Sequence, residues 1–153
     1  MEFEETLSLL RQVARGLAAQ FGSACEVVIH DLTGDLEQTV VHIENGHVSG
    51  RKLGDGPSHA VLELLGAGGP AEDHLAYLTR SPDGKILKSS TLCVRDRKGV
   101  PMALLSINYD ISALLLVEHA LRDLTSPREK ADREPERITH SVTELLDSLL
   151  EQS

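Results

Sequence analysis

KILKSSTLCVR at positions 85–95, followed across DRKG (96–99) by PMALLSINY at 101–109, decides how this chain folds. Two long runs of β-branched and apolar residues flank a turn that ends in glycine, which is the pattern of an antiparallel pair. A shorter run, HLAYLT at 74–79, precedes them and is joined by the turn Ser81-Pro82-Asp83-Gly84, so the spacing predicts a three-stranded meander. Working outward, CEVVIHDL (25–32) and QTVVHIE (38–44) are separated by Thr33-Gly34-Asp35 and read as a second antiparallel pair. Asn45-Gly46 ends that pair as a tight turn, and His47-Val48-Ser49 is expected to return briefly as a strand.

Helical periodicity frames these strands. Phe3, Leu7, Leu10, Ala14, Leu17 and Phe21 draw one apolar stripe that Gly22 stops. Such a stripe suits packing on the domain's own sheet and pairing with a second subunit, because fewer than three heptads make a weak isolated coiled coil. A short helix is expected over 58–65 behind the N-cap candidate Ser58, ending in the flexible connection 66–70. A further helix is expected over 111–124 behind the N-cap candidate Ser112, with Leu114, Val117, Leu121 and Leu124 on one side. From Thr125 to Arg137 four bases and four acids stand with almost nothing to bury, which reads as a charged linker. Beyond it, 138–153 carries Ile138, Val142, Leu145, Leu146, Leu149 and Leu150 as a last amphipathic helix.

Composition limits the function. The 153 residues and 16.6 kDa suit one domain with an appendage, here 1–124, the 125–137 linker and the 138–153 helix. Twenty-four acids against 15 bases give a formal charge of −9, which repels nucleic-acid phosphates and anionic lipid, so DNA contact has to come from elsewhere. No apolar run approaches the ~18 residues of a membrane span, and the opening Met1-Glu2-Phe3-Glu4-Glu5 lacks the basic start of a signal peptide; a soluble cytoplasmic protein is expected. Tryptophan is absent and aromatics make up 3%, which removes the platforms on which single-stranded bases stack. Cys25 and Cys93 show no metal or disulfide spacing and are expected to be reduced core residues.

The motifs point to binding and away from catalysis. Glycines at 46, 50, 54 and 56 do not make a phosphate loop, because Arg51-Lys52 is followed by Leu53 where such a loop needs Lys-Ser or Lys-Thr at the right spacing; they read as turns beside a pocket. The seven histidines are scattered, with no HExxH, and no metal is expected. No nucleophile has a recognisable base partner, so an enzyme is the least favoured class. His30 and Asp31 end the first strand with polar groups pointing to both faces, as ligand contacts or as ties for neighbouring backbone. Lys88-Ser89-Ser90-Thr91 interrupts what should be a core strand. Its hydroxyls, opposite Ser106 and Asn108, either satisfy one another or surround a polar ligand, with Ser90 or Thr91 the candidate contacts. Asn108 either donates into the pocket or fastens the loop above it.

Two strands, a glycine-rich crossing segment with a small helix and then a meander describe an α+β domain built on one five-stranded antiparallel sheet, with flanking N- and C-terminal helices. That order matches a PAS fold, in which the crossing segment leaves a small pocket against one face of the sheet. CEVVIHDL (25–32), IENGHVSGRKLGD (43–55), DGKILKSSTLCVRD (83–96) and MALLSINYD (102–110), in that order, resemble the YheO-like PAS domain family over about 3–124. The resemblance implies the sensory and dimerising module of a bacterial transcriptional regulator whose DNA contact is made by a C-terminal helix-turn-helix domain. It implies a homodimer; the polar groups of the expected pocket suit a small polar metabolite, and without tryptophan or a cofactor motif no cofactor is expected. His30, Asp31, Asn45, Arg51, Ser90, Thr91 and Asn108 fall within the family's motifs and are the candidate ligand-binding residues. After the linker this chain has only 138–153, too short and acidic for a DNA-binding domain, so a fragment ending at a domain boundary is expected, with a natural sensor-only form as the alternative. A ligand-free dimerisation module is the rival function.

Overall fold

Among the described residues, eight elements follow one another in the computed structural model: α1 (Phe3–Phe21), β1 (Cys25–Asp31), β2 (Val40–Glu44), β3 (His74–Arg80), β4 (Ile86–Arg95), β5 (Pro101–Asp110), α2 (Ser112–Thr125) and α3 (Val142–Glu151). The described residues are 2–56, 72–128 and 134–151. The chain forms two units, Met1–Val117 and Glu118–Ser153.

In the first unit the strands form one antiparallel sheet in the order β2-β1-β5-β4-β3, which is the five-stranded sheet the sequence predicts. The two predicted pairs join through β1 and β5, where Val27 stands opposite Ile107 and Ile29 opposite Leu105. Leu7, Leu10, Ala14 and Ala18 of α1 pack against Cys25, Val27, Ile29, Ala103 and Leu105 to make the core. These α1 positions follow the helical period and the strand positions alternate, so α1 covers one face of the sheet. Burying each leucine side chain there stabilises by roughly 1.5–3 kcal/mol. Gly22 ends α1 at φ +84°, a backbone angle that favours glycine, and its N–H closes the last turn on the Ala18 carbonyl at 2.9 Å.

Three local expectations change. His47-Val48-Ser49 is a turn and not a strand: the N–H of Val48 donates to the Asn45 carbonyl and that of Gly50 to the Gly46 carbonyl, at 3.1 and 2.8 Å. Those turn bonds take the groups a strand would have offered to a neighbour. Ser112 is the first helical residue of α2 and not its cap; its hydroxyl accepts from the Ile86 N–H at 2.9 Å, while the Asp110 carboxylate accepts from the Ser112 N–H at 3.0 Å. An acidic acceptor at that place suits a helix start. α3 begins at Val142, directly after Ser141, so 138–141 is not helical; serine is a favoured residue just before a helix. Leucines of α2 are exposed, Leu116 at 71% and Leu124 at 83%. The short helix expected over 58–65 and the connection 66–70 lie outside the described residues, as does 129–133 of the charged linker.

In the second unit, Glu118 and Arg122 form an i,i+4 ion pair at 2.6 Å within α2, and Arg137 reaches Glu151 at 2.7 Å. Pairs this exposed add little stability.

Candidate functional site

β1 is buried from Cys25 to His30, so both of its faces are covered. Cys25, Val27 and Ile29 turn towards α1. The alternate positions Glu26, Val28 and His30 therefore face the other way, towards the segment that follows β2. That face holds a cavity of about 490 Å³. Val28 and His30 of β1, Ser106 and Asn108 of β5, Leu87 and Thr91 of β4, and Tyr77, Thr79 and Arg80 of β3 form its sheet side. Ser49, Gly50, Arg51, Asp55 and Gly56 form another wall, together with Ser81 and Pro82.

The 45–56 wall is fixed from several directions. Asn45 sits at φ 54°, a left-handed conformation that asparagine tolerates, and its amide donates to the carbonyls of Gly22 and Cys25 at 3.1 and 2.8 Å. Lys85 donates to the carbonyls of His47 and Val48 at 3.1 and 3.3 Å. Glu26, fully buried, accepts from the Ser49 hydroxyl at 2.5 Å and the Ser49 N–H at 3.1 Å, while its other oxygen accepts from the Asn108 amide at 2.8 Å. Three donors on one carboxylate offset its desolvation. Glu26 thus ties the wall to β5 through β1. Gly46 has no room for a side chain: a Cβ there would stand 2.9 Å from Ile43 Cδ1 and 3.0 Å from the Arg51 carbonyl oxygen.

His30 is 2% exposed and shares a 2.7 Å hydrogen bond between Nδ1 and Thr39 Oγ1. Burial, and secondarily the positive charge of Arg51, push its imidazole down to about 4, so the ring is neutral at neutral pH. Arg51 donates through Nη1 to the Gly56 carbonyl at 3.1 Å, which holds the guanidinium beside the cavity.

Hydroxyls supply the remaining polarity. Tyr77 OH and Thr91 Oγ1 are 2.7 Å apart, Thr91 Oγ1 and Ser106 Oγ 3.4 Å, and Thr79 Oγ1 and Ser89 Oγ 2.8 Å. Each hydroxyl has one donor and two acceptor sites, so these pairs leave capacity for a guest. β3 reaches this layer over a bulge between His74 and Tyr77, with Ala76 at φ 54° and the Ser90 hydroxyl accepting from the Ala76 N–H at 2.9 Å. Cys25 and Cys93 are free thiols, both pushed up by burial. The described residues contain no cluster of acids, histidines and cysteines suited to a metal.

Of the seven candidates, the structure brings His30, Arg51, Thr91 and Asn108 to the cavity. Asp31, Asn45 and Ser90 do not line it. Asp31 accepts from the Thr33 N–H and hydroxyl at 2.7 and 2.6 Å, closing its own turn. Asn45 holds the wall from behind. Ser90 lies opposite Ile107, on the α1 face, so alternation gives the cavity to Thr91 and withholds it from Ser90. Sequence reasoning missed Glu26, Tyr77 and Ser49. For Glu26 the signal was present, since an acid at a period of two with Val28 and His30 shares their face; Tyr77 and Ser49 are positioned by a bulge and a turn that leave no such pattern.

A family model for the YheO-like PAS domain matches residues 1–126. The uncharacterized protein YheO of Escherichia coli strain K12 is 34% identical over 109 residues, 70% of this chain and 45% of that protein. The transcriptional regulator DauR of Pseudomonas aeruginosa is 34% identical over 125 residues, 81% of this chain and 56% of that protein. The chain therefore spans about half the length of the curated relatives it matches. A solved structure of an RsLOV variant has a TM-score of 0.50 at 12% identity, covering 83% of this chain and 87% of that one, and agrees in fold. No described helix is long and apolar enough to cross a membrane. On the extent of the family match and these identities, the chain belongs to the YheO-like PAS domain family.

Proposed function

We propose that this chain is the sensing module of a cytoplasmic transcriptional regulator, taking a small polar metabolite in the cavity and acting as a homodimer without catalysis. The carrying observation is the cavity of about 490 Å³, with hydroxyls, a neutral imidazole and a guanidinium on its walls, on the sheet face opposite α1. Its size falls within the range of small-molecule sites. The kinship to the regulator DauR supports the regulatory setting. DNA contact belongs to a helix-turn-helix domain outside this chain, in keeping with the charge of −9. Occupancy acts by population shift: the ligand has to favour one arrangement of the flanking helices, since equal affinity for two arrangements moves neither. The exposed leucines of α2 supply an apolar surface for a second copy.

Native mass spectrometry of the purified chain tests this reading. A dimer carrying a small metabolite is expected, and Thr91→Val is expected to reduce its occupancy while costing about 1 kcal/mol of stability. A monomer with no retained compound, and no compound in a metabolite screen that raises its melting temperature, would overturn it. A dimer without any ligand would favour the rival reading of a dimerisation module, for which the mutual bonding of Tyr77, Thr91 and Ser106 is the supporting observation.

A further inference from the structure

On the reading that the cavity is a ligand site, we infer that its ligand is a small organic anion and that Arg51 binds the carboxylate. The chain as a whole carries −9, yet among the described residues two guanidiniums, Arg51 and Arg80, line this cavity against one acid, Asp55. The wall thus reverses the sign of the molecule around it. Among the described residues neither Glu26 nor Asp55 forms an ion pair with Arg51. Both oxygens of Glu26 are occupied by donors from Ser49 and Asn108, and Glu26 is not part of the lining. Asp55 accepts the Lys52 N–H at 2.9 Å through one oxygen.

The Arg51 side chain makes one hydrogen bond among the described residues, to the Gly56 carbonyl. A guanidinium carries five N–H donors in a planar fork matched to carboxylate oxygens. The remaining donors are held in place, because Asn45, Ser49 and Lys85 fix the segment that carries Arg51. This is the arrangement that keeps the ordering cost of binding low. The hydroxyls of Tyr77, Thr91 and Ser106 lie along the same cavity, and their two mutual bonds leave one of the three protons to donate to an anion. A cationic ligand would meet the repulsion of both guanidiniums, and a neutral one would leave Arg51 without a counter-charge.

The test uses three probes of similar length and different end charge, succinate, succinamide and putrescine, titrated into the isotope-labelled full chain and followed by NMR. Succinate is expected to shift the Arg51 side-chain N–H signal and the Thr91 and Ser106 amides, with succinamide at least about tenfold weaker, as befits a charge-assisted contact. Arg51→Gln is expected to weaken succinate by about tenfold or more, while its amide spectrum stays folded. Should that variant unfold, Arg51→Lys decides: it keeps the charge but loses the fork, and several-fold weaker succinate binding with succinate still ahead of succinamide is expected. Equal succinate affinity in the folded Arg51→Gln or in Arg51→Lys would overturn the inference. So would a cavity that prefers succinamide or putrescine, although the ligand site would stand. Silence of the cavity signals with all three probes would overturn both.

Discussion

Acidification offers a direct check on the site's electrostatics through His30. Its imidazole is pushed from an ordinary value of 6.5 down to about 4 by burial and by Arg51. The unfolded chain therefore binds a proton more readily than the folded one between those values, and stability is lost as the pH falls through that window. Above about pH 6.5 the full stability is present. With these two values the loss between about pH 7.5 and pH 5 is about 2 kcal/mol, approaching about 3 kcal/mol below pH 4. Chemical denaturation of the wild type and His30→Gln near both pH values isolates the contribution, because the variant keeps every other titrating group. The wild type is expected to lose about 2 kcal/mol more than the variant on going to the lower pH. Parallel losses, equal to within about 0.5 kcal/mol, would show that the ring is solvated or already charged and would refute the reasoning.

Glu26→Ala strips the acceptor from Ser49 and from Asn108 and is expected to cost roughly 2–4 kcal/mol, read as a lowered denaturation midpoint, with Glu26→Gln recovering part of it. Ala76 holds a left-handed angle at the β3 bulge, so Ala76→Gly is expected to stabilise by up to about 1 kcal/mol; an unchanged or lower melting temperature would count against that backbone geometry. Gly46→Ala would drive a methyl group against the Arg51 carbonyl, and a lowered melting temperature together with shifted amide signals at 49–51 is the expected result. Asn45→Ala loses two hydrogen bonds at a left-handed position and is expected to cost about 1–2 kcal/mol by the same measurement.

The sheet was legible in advance because period-two runs and glycine-ended turns mark strands and hairpins locally, and 85–95 and 101–109 differ from β4 and β5 by a single residue. The α1 stripe was legible for the same reason, except that Phe21 is 55% exposed at the helix end. Which face of β4 meets the cavity required knowing where α1 lies, so Ser90 and Thr91 stood equal until Ile107 was seen packed near the α1 core beside Ser90. Asn45 and Asp31 drew attention as polar residues at strand ends, and both spend their polarity on backbone and turn groups, the commonest fate of such side chains. Alternation puts Glu26 on the face of Val28 and His30, but its role was not legible because its partner Asn108 lies 82 positions away.

β1 also carries a consequence for how the chain avoids misassembly. Its residues Val27 and Ile29 face α1 while Glu26 and His30 face away. A slip of one position against β5 would exchange the two sets and thrust a carboxylate and an imidazole among Leu7, Leu10 and Ala14, far from Ser49, Asn108 and Thr39. The same two polar side chains that shape the cavity act as a key for strand alignment. Replacing them with aliphatic residues would make both faces of the strand interchangeable and would exchange a unique pairing for two competing ones.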